Sequence, residues 1–180
     1  MELANERIIE LSKVKIVLLL VGAAAFLALG IWIMTLDATT LASLHRSPIV
    51  LQVIGVGSFF VFGAAAFYGV MKLLDTKPGL IFNSEGVVDN SSGVAAGLIP
   101  WSEISGVGVV EIKKQKMLVI KVINPEKYIE TGSAIRRAAN RASAAMVGSP
   151  LAIAATALKI DFQELQDVFG QYHAKYGNRF

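Results

Sequence analysis

The chain of 180 residues has no cysteine, which excludes disulfides, thiolate metal sites and thiol nucleophiles and leaves redox compartment unread. It has only two histidines, His45 and His173, too few and too far apart in sequence for a metal cage, and both are expected to be solvated. Phosphate-cradling glycine loops are also missing: Gly55-Val56-Gly57 falls inside an apolar run and Gly106-Val107-Gly108 opens a strand-like segment. Nothing resembles a nucleophile elbow, and no pair of carboxylates has acid–base spacing. Charge of one sign is scarce as well, with 17 Lys and Arg against 14 Asp and Glu. Residues 78–180 hold 11 basic and 9 acidic side chains, a balance that speaks against bulk nucleic-acid binding. The expectation is a protein that is not an enzyme, with no cofactor, no metal and no nucleic-acid partner.

What the chain does have is two long apolar runs, Ile16 to Leu36 and Ile49 to Met71, of 21 and 23 residues. As helices they reach about 32 and 35 Å, enough to cross a hydrocarbon core of about 30 Å. No charge interrupts either run, and Gln52 is the only strongly polar side chain. A cleaved signal peptide is excluded by length, because an h-region spans about 7 to 15 residues. Transport and proton relays need ionisable groups facing the membrane interior, so a pump or transporter is not expected. Residues 1–77 therefore read as a helical lead-in and a transmembrane hairpin, with helices at about 16–36 and 49–71.

Basic residues set the orientation. Arg7, Lys13 and Lys15 precede the first helix and Lys72 and Lys77 follow the second, whereas the connecting loop offers only Arg46. Both termini are expected on the cytoplasmic side. Ala24 with Ala28, and Ala65 with Gly69, form small-xxx-small pairs; these serve either packing of the two helices on each other or a homo-oligomeric contact with a second copy.

Lys77-Pro78-Gly79 breaks any helix, and from there the periodicity becomes that of short strands. Strands are expected at Leu80–Phe82, Val87–Asp89, Gly97–Trp101, Val107–Ile112 and Met117–Ile123, with Ser84-Glu85-Gly86 a tight turn in which Gly86 is able to take positive φ. Leu118, Ile120 and Val122 share one face of a half-buried antiparallel sheet, with Lys121 on the solvated side. Asn124-Pro125 starts a helical turn, and Ser133–Val147 has helical composition. Leu151–Ile160 holds two short strands around Ala155 and Thr156. Asp161 and Glu164 stand at capping-box spacing ahead of Phe162, Leu165, Val168, Phe169, Tyr172 and Tyr176 at helical spacing. The expected fold is a membrane α-helical hairpin plus an α+β domain, a small, strongly bent antiparallel sheet or partial barrel capped by the C-terminal amphipathic helix.

The stretches Lys77-Pro78-Gly79-Leu80-Ile81, Glu85 to Ser92, Gly97-Leu98-Ile99-Pro100-Trp101-Ser102-Glu103-Ile104, Ile123 to Tyr128 and Ile160 to Leu165 carry a resemblance. The chain resembles small bacterial inner-membrane proteins in which a two-helix hairpin precedes a pleckstrin-homology-like domain. That resemblance implies a PH-like fold for residues 78–180 and a cytoplasmic-membrane location, and it implies no catalytic residue. Phosphoinositide binding at the first hairpin turn does not carry over, since that turn, Asn83-Ser84-Glu85-Gly86, is acidic.

Two basic groups are the candidate lipid or partner contacts. Lys113, Lys114 and Lys116 lie at a hairpin tip, and Arg136, Arg137 and Arg141 on one side of a helix. Beside an anionic leaflet each charge contributes about 1 kcal/mol of attraction; the alternative is a solvated turn and a solvated helix face. The expected function is a membrane-anchored, non-catalytic binding or scaffolding module with an unknown protein partner. A module that reads anionic lipid or envelope stress through these basic groups is the alternative.

Overall fold

The computed structural model describes residues 5–37, 39–40, 47–92 and 94–177; His45 and Arg46 lie outside them, as do Glu2 and Leu3 of the lead-in. The described chain forms two compact units, one from Lys13 to Asp75 and the other combining the residues up to Ser12 with those from Thr76 onward.

The first unit is an antiparallel helical hairpin of α1 (Lys13–Thr35) and α2 (Pro48–Leu74). Pro48 suits the first helical position, where no N–H partner is needed. Both helices outrun the apolar stretches, because Lys13, Lys15 and Lys72 are good helix formers and the hydrogen-bonded ladder continues through them. Apolar side chains cover every side, with mean hydropathy 2.7 and 2.1, as expected of helices long enough to cross a membrane. The backbones come closest at Gly30 and Gly55: a Cβ on Gly30 would stand 3.1 Å from the Gly55 carbonyl oxygen, and the converse distance is also 3.1 Å. Phe26 stacks on Phe62 at 4.7 Å. Gly69 receives Leu20, whereas Ala24, Ala28 and Ala65 are exposed, so the close approach runs through glycines and not through the alanine pair of α1. Lys13 Nζ donates to the carbonyls of Leu73 and Asp75 at 2.6 and 2.5 Å, occupying acceptors that the end of α2 leaves without helical partners.

The second unit has seven antiparallel strands in two sheets, neither closed into a barrel. One sheet has the order β1 (Arg7–Ile9), β2 (Leu80–Phe82), β3 (Gly86–Asp89), β4 (Gly97–Pro100). The other has the order β5 (Ile104–Ile112), β6 (Gln115–Val122), β7 (Leu151–Ala154). Between β6 and β7 stand α3 (Pro125–Ile129) and α4 (Ala134–Val147), and α5 (Phe162–Tyr176) follows β7.

The lead-in is therefore a strand and not a helix. Ile9 and Leu11 are 4% and 3% exposed while Ile8 is 52% exposed, an alternation of period two that fits β-branched residues on a sheet. Arg7 pairs with Phe82 and Ile9 with Leu80. Past β1 the chain pairs instead with the residues before α5, through Lys159 N–H to Glu10 O (2.9 Å), the Leu11–Leu158 bridge and Ser12 N–H to Ala157 O (2.8 Å). In sequence, the helical hairpin thus falls between two neighbouring strands of one sheet.

Aromatic packing builds the core. Phe82 meets Phe169 and Tyr172, and Trp101 meets Phe169 edge-on while its indole N–H donates to the Asn83 carbonyl at 2.8 Å. His173 is not a free surface group: its ring lies 5.9 Å from Trp101 and 6.0 Å from Phe169. Gly86 also differs from expectation. Its φ is not positive; a Cβ there would lie 2.1 Å from the Ile99 oxygen, so glycine is required by close approach across the β3–β4 pair. Residues 155–157 form a 3-10 turn in place of a second strand, consistent with the low strand preference of alanine. Asp161 accepts from Glu164 N–H as the helix cap, but the Glu164 carboxylate reaches Arg7 on β1 at 3.1 Å.

Candidate functional site

The segment between β6 and β7 builds the site. Asn124 caps α3 by accepting from Lys127 N–H, and Ser133 caps α4 by accepting from Arg136 N–H. Between the two helices Gly132 holds φ +97°, a left-handed value that favours glycine, and a Cβ there would stand 2.6 Å from Arg136 Cδ. The missing side chain lets the Arg136 stem lie across the turn. The Gly132 carbonyl accepts from the Arg137 guanidinium at 3.1 Å.

Arg136 and Asn140, one helical turn apart, line a cavity of about 120 Å³ together with Lys127, Tyr128, Leu98 and Leu151. Asn140 is 1% exposed. Its Nδ2 donates to the Tyr128 carbonyl at 2.7 Å, while its Oδ1 is buried with no partner. Arg136 Nε is likewise buried and unpartnered. Beside them Glu103 accepts from Lys127 Nζ at 2.5 Å and from the Tyr128 hydroxyl at 2.8 Å. Those two hydrogen bonds hold the Glu103 carboxyl below the ordinary carboxylate range. Burial, reinforced by the Glu103 carboxylate, pushes the Tyr128 hydroxyl well above its ordinary range. Lys127 and Glu103 offset each other, so Arg136 supplies the uncompensated charge at the cavity wall.

The two basic groups expected from sequence are separate, and one of them divides. Lys113 and Lys114 are the two central residues of the β5–β6 turn, with φ of 48° and 66°, and Lys116 stands opposite Glu111 on β6; all three are exposed. Leu151 at the cavity pairs with Ile120, six residues along from Lys114, or about 20 Å of extended strand. On α4, Arg137 and Arg141 share a face by their four-residue spacing, whereas Arg136 turns with Asn140 toward the cavity. Sequence reasoning missed Asn140, Tyr128 and Lys127. The available signal was a lone Asn in an alanine-rich helix at the inward position i+4 from Arg136.

Arg136, Asn140, Lys127 and Tyr128 line the cavity together with Leu98 and Leu151, and the Glu103 carboxylate is tied to Lys127 and Tyr128. Among the described residues no group of three or more His, Asp or Glu is placed to hold a metal ion. No family model, curated protein or solved structure matches the chain.

Proposed function

We propose that the chain is a membrane-anchored, non-catalytic binding module, held by its hairpin at the inner face of a bacterial cytoplasmic membrane. One observation carries this reading: β1 and β2 pair in register although the whole hairpin lies between them in sequence. Both ends of the hairpin return to one sheet, so the domain and both termini belong on one side of the bilayer. A cytoplasmic placement of that side is supported by the flanking Arg7, Lys13, Lys15, Lys72 and Lys77. A pleckstrin-homology-like reading, with its first strand placed ahead of the hairpin, is supported by seven antiparallel strands closing on a terminal amphipathic helix. The non-catalytic reading is supported by carboxylates with structural tasks: Glu103 in its ion pair, Asp161 as a cap, and Asp89 accepting from the Ser91 N–H and hydroxyl.

Because the chain lacks cysteine, single-cysteine labelling tests the topology directly. In cells, Thr40→Cys is expected to react with an impermeant maleimide added outside, and Ser84→Cys only after permeabilisation, with the protein resisting carbonate extraction. The reverse labelling pattern, or release by carbonate, overturns the proposal.

A second reading, contact with anionic lipid, is favoured by Lys113 and Lys114, both exposed and both held at positive φ. For the full chain in nanodiscs, replacing zwitterionic by anionic lipid is expected to slow tryptic cleavage after these lysines, and salt to reverse the effect. Cleavage that ignores lipid charge rejects it.

A further inference from the structure

We infer that the outward face of α4 docks on the lipid bilayer, with Ile135 and Met146 entering the boundary between headgroups and acyl chains. The inference rests on the reading of the chain as membrane-anchored and names a surface through which the domain meets lipid. An amphipathic helix on a globular domain turns its apolar stripe to the core and its polar face to water. In α4 the sense is reversed. Its inward side chains are polar: Asn140 is buried and donates to the Tyr128 carbonyl, the Ser143 hydroxyl donates to the Ser149 carbonyl at 2.9 Å, and Arg136 is half-buried. Ile135, Ala138, Ala142, Ala145 and Met146 recur at helical spacing on the opposite face, and all five are exposed. Ile135 and Met146 are 82% and 69% exposed and stand at the two ends of that face, about 16 Å apart along the helix. Polar groups inside and large apolar groups outside are the disposition of a helix with a second apolar phase against its outer face.

Charge and connectivity identify that phase. Between Ala134 and Val147 the helix carries Arg136, Arg137 and Arg141 and no acidic residue; the preceding acids, Glu126 and Glu130, lie on and just after α3. Arg141 is exposed at the margin of the apolar face, where its long side chain reaches headgroup phosphates while the face itself lies against acyl chains. A second copy of α4 laid on this face brings two arginine clusters together with no acid between them, whereas an anionic leaflet offsets them. The domain is joined to the helical hairpin without a spacer after Ser12 and through residues 75–79 at the other end. Connections this short make the bilayer the apolar phase of highest effective concentration around the domain.

Single cysteines carrying an environment-sensitive fluorophore test this in the full chain, held in nanodiscs of phosphatidylcholine and phosphatidylglycerol. The labelled positions are Ile135→Cys, Ala142→Cys and Met146→Cys, with Gln166→Cys on the exposed polar side of α5 as the control. The three α4 labels are expected to shift to the blue, to be quenched by lipid bearing a nitroxide near its headgroup, and to respond about fivefold less than the control to aqueous iodide. Ile135→Asp combined with Met146→Asp is expected to abolish lipid quenching of the Ala142→Cys label while leaving the melting temperature in detergent unchanged, which loss of a packed side chain would lower. If that variant does not fold, the labels in the otherwise unaltered chain decide. Labels as open to iodide as the control and untouched by nitroxide lipid overturn the inference. Labels shielded from iodide yet untouched by nitroxide lipid overturn it as well, and a doubled protein mass per disc then assigns the face to a second copy. The topology labels at Thr40 and Ser84 are read separately: α4 labels that stay in water on a correctly inserted protein refute the docking and leave the anchored module standing, whereas reversed topology refutes the anchored reading itself.

Discussion

In the hairpin the large apolar side chains point outward, with Phe60 and Phe67 68% and 69% exposed, whereas in the domain Leu80, Phe82 and Ile120 are fully enclosed. The same chemistry is disposed in opposite senses, and the two units differ in what completes them. The domain removes its apolar surface from water by folding on itself, through pairings between residues as distant in sequence as Leu11 and Leu158. The hairpin hides little of its own and needs a second, apolar phase around it. A hydropathy reading therefore finds the hairpin from composition alone, while the domain depends on partners that no local window contains.

The sharpest way to break the comparison is to separate the units. Replacing Lys13–Asp75 by a short Gly/Ser linker is expected to give a soluble, cooperatively melting domain, because β1 stays joined to β2. Residues 78–180 alone are expected not to fold. That fragment loses the burial of Ile9 and Leu11, about 2 kcal/mol each, and the backbone pairs along Arg7–Ser12. A total of about 5 kcal/mol is comparable to the whole stability of many domains. Heteronuclear NMR spectra and thermal melts of the two proteins decide it, and a dispersed spectrum from residues 78–180 removes the claim that β1 belongs to the domain.

Glycines in the two units do different work, and they sharpen the contrast. Gly86→Ala places a methyl 2.1 Å from a strand carbonyl and is expected to cost the domain about 3 kcal/mol or more, seen as a fall in its melting temperature. Gly30→Leu pushes against Ser58 and the Gly55 carbonyl and is expected to separate the helices without lowering the domain's melting temperature. Disulfide formation between cysteines placed at Phe26 and Phe62 reports that separation.

How much was legible follows the same line. The membrane helices, the Asn124 and Asp161 caps and the terminal helix were readable because each is set by residues within a turn or two. Strand β1 was not, since three residues beside a run of helix formers look helical until Leu80–Phe82 supplies the partner. At Gly86 the turn signal is local, but the need for glycine is not, because the nearness of Ile99 is a cross-strand fact. At the candidate site Arg136 was visible by charge, but its separation from Arg137 and Arg141 arises from the way α4 packs. Asn140 carried no local mark beyond its spacing.

The Glu103, Lys127 and Tyr128 cluster gives the domain a pH response. Glu103 is held below the ordinary carboxylate value of 4.5, so its contribution is present above that pH and is lost as pH falls through the lowered value. Tyr128 is raised above the ordinary value of 10, so its contribution is present below pH 10 and is lost at higher pH. Glu103→Gln is expected to cost about 0.5–1 kcal/mol at neutral pH, the usual size for a half-exposed pair, and to flatten the acid limb of the melting curve. Tyr128→Phe is expected to flatten the alkaline limb. Wild-type melting temperatures independent of pH at both limbs contradict this assignment.

The last expected effect is a gain. Lys113 and Lys114 occupy a two-residue hairpin turn with φ of 48° and 66°, the left-handed pattern that Asn-Gly adopts with least strain. Replacing them by Asn and Gly is expected to stabilise the domain by about 1 kcal/mol, a rise of about 4 °C or more. A chain selected only for stability has no need of two lysines there, so the same double variant tests whether the strain serves a contact. If the lysines read anionic lipid, the variant melts higher and loses the salt-sensitive protection that anionic nanodiscs give the tip. The Lys116 backbone is not at positive φ, so Lys116→Gln separates the two effects, lowering lipid protection without raising the melting temperature. A double variant that melts higher and keeps full protection against a protease cutting elsewhere at the tip assigns the lysines to solvent.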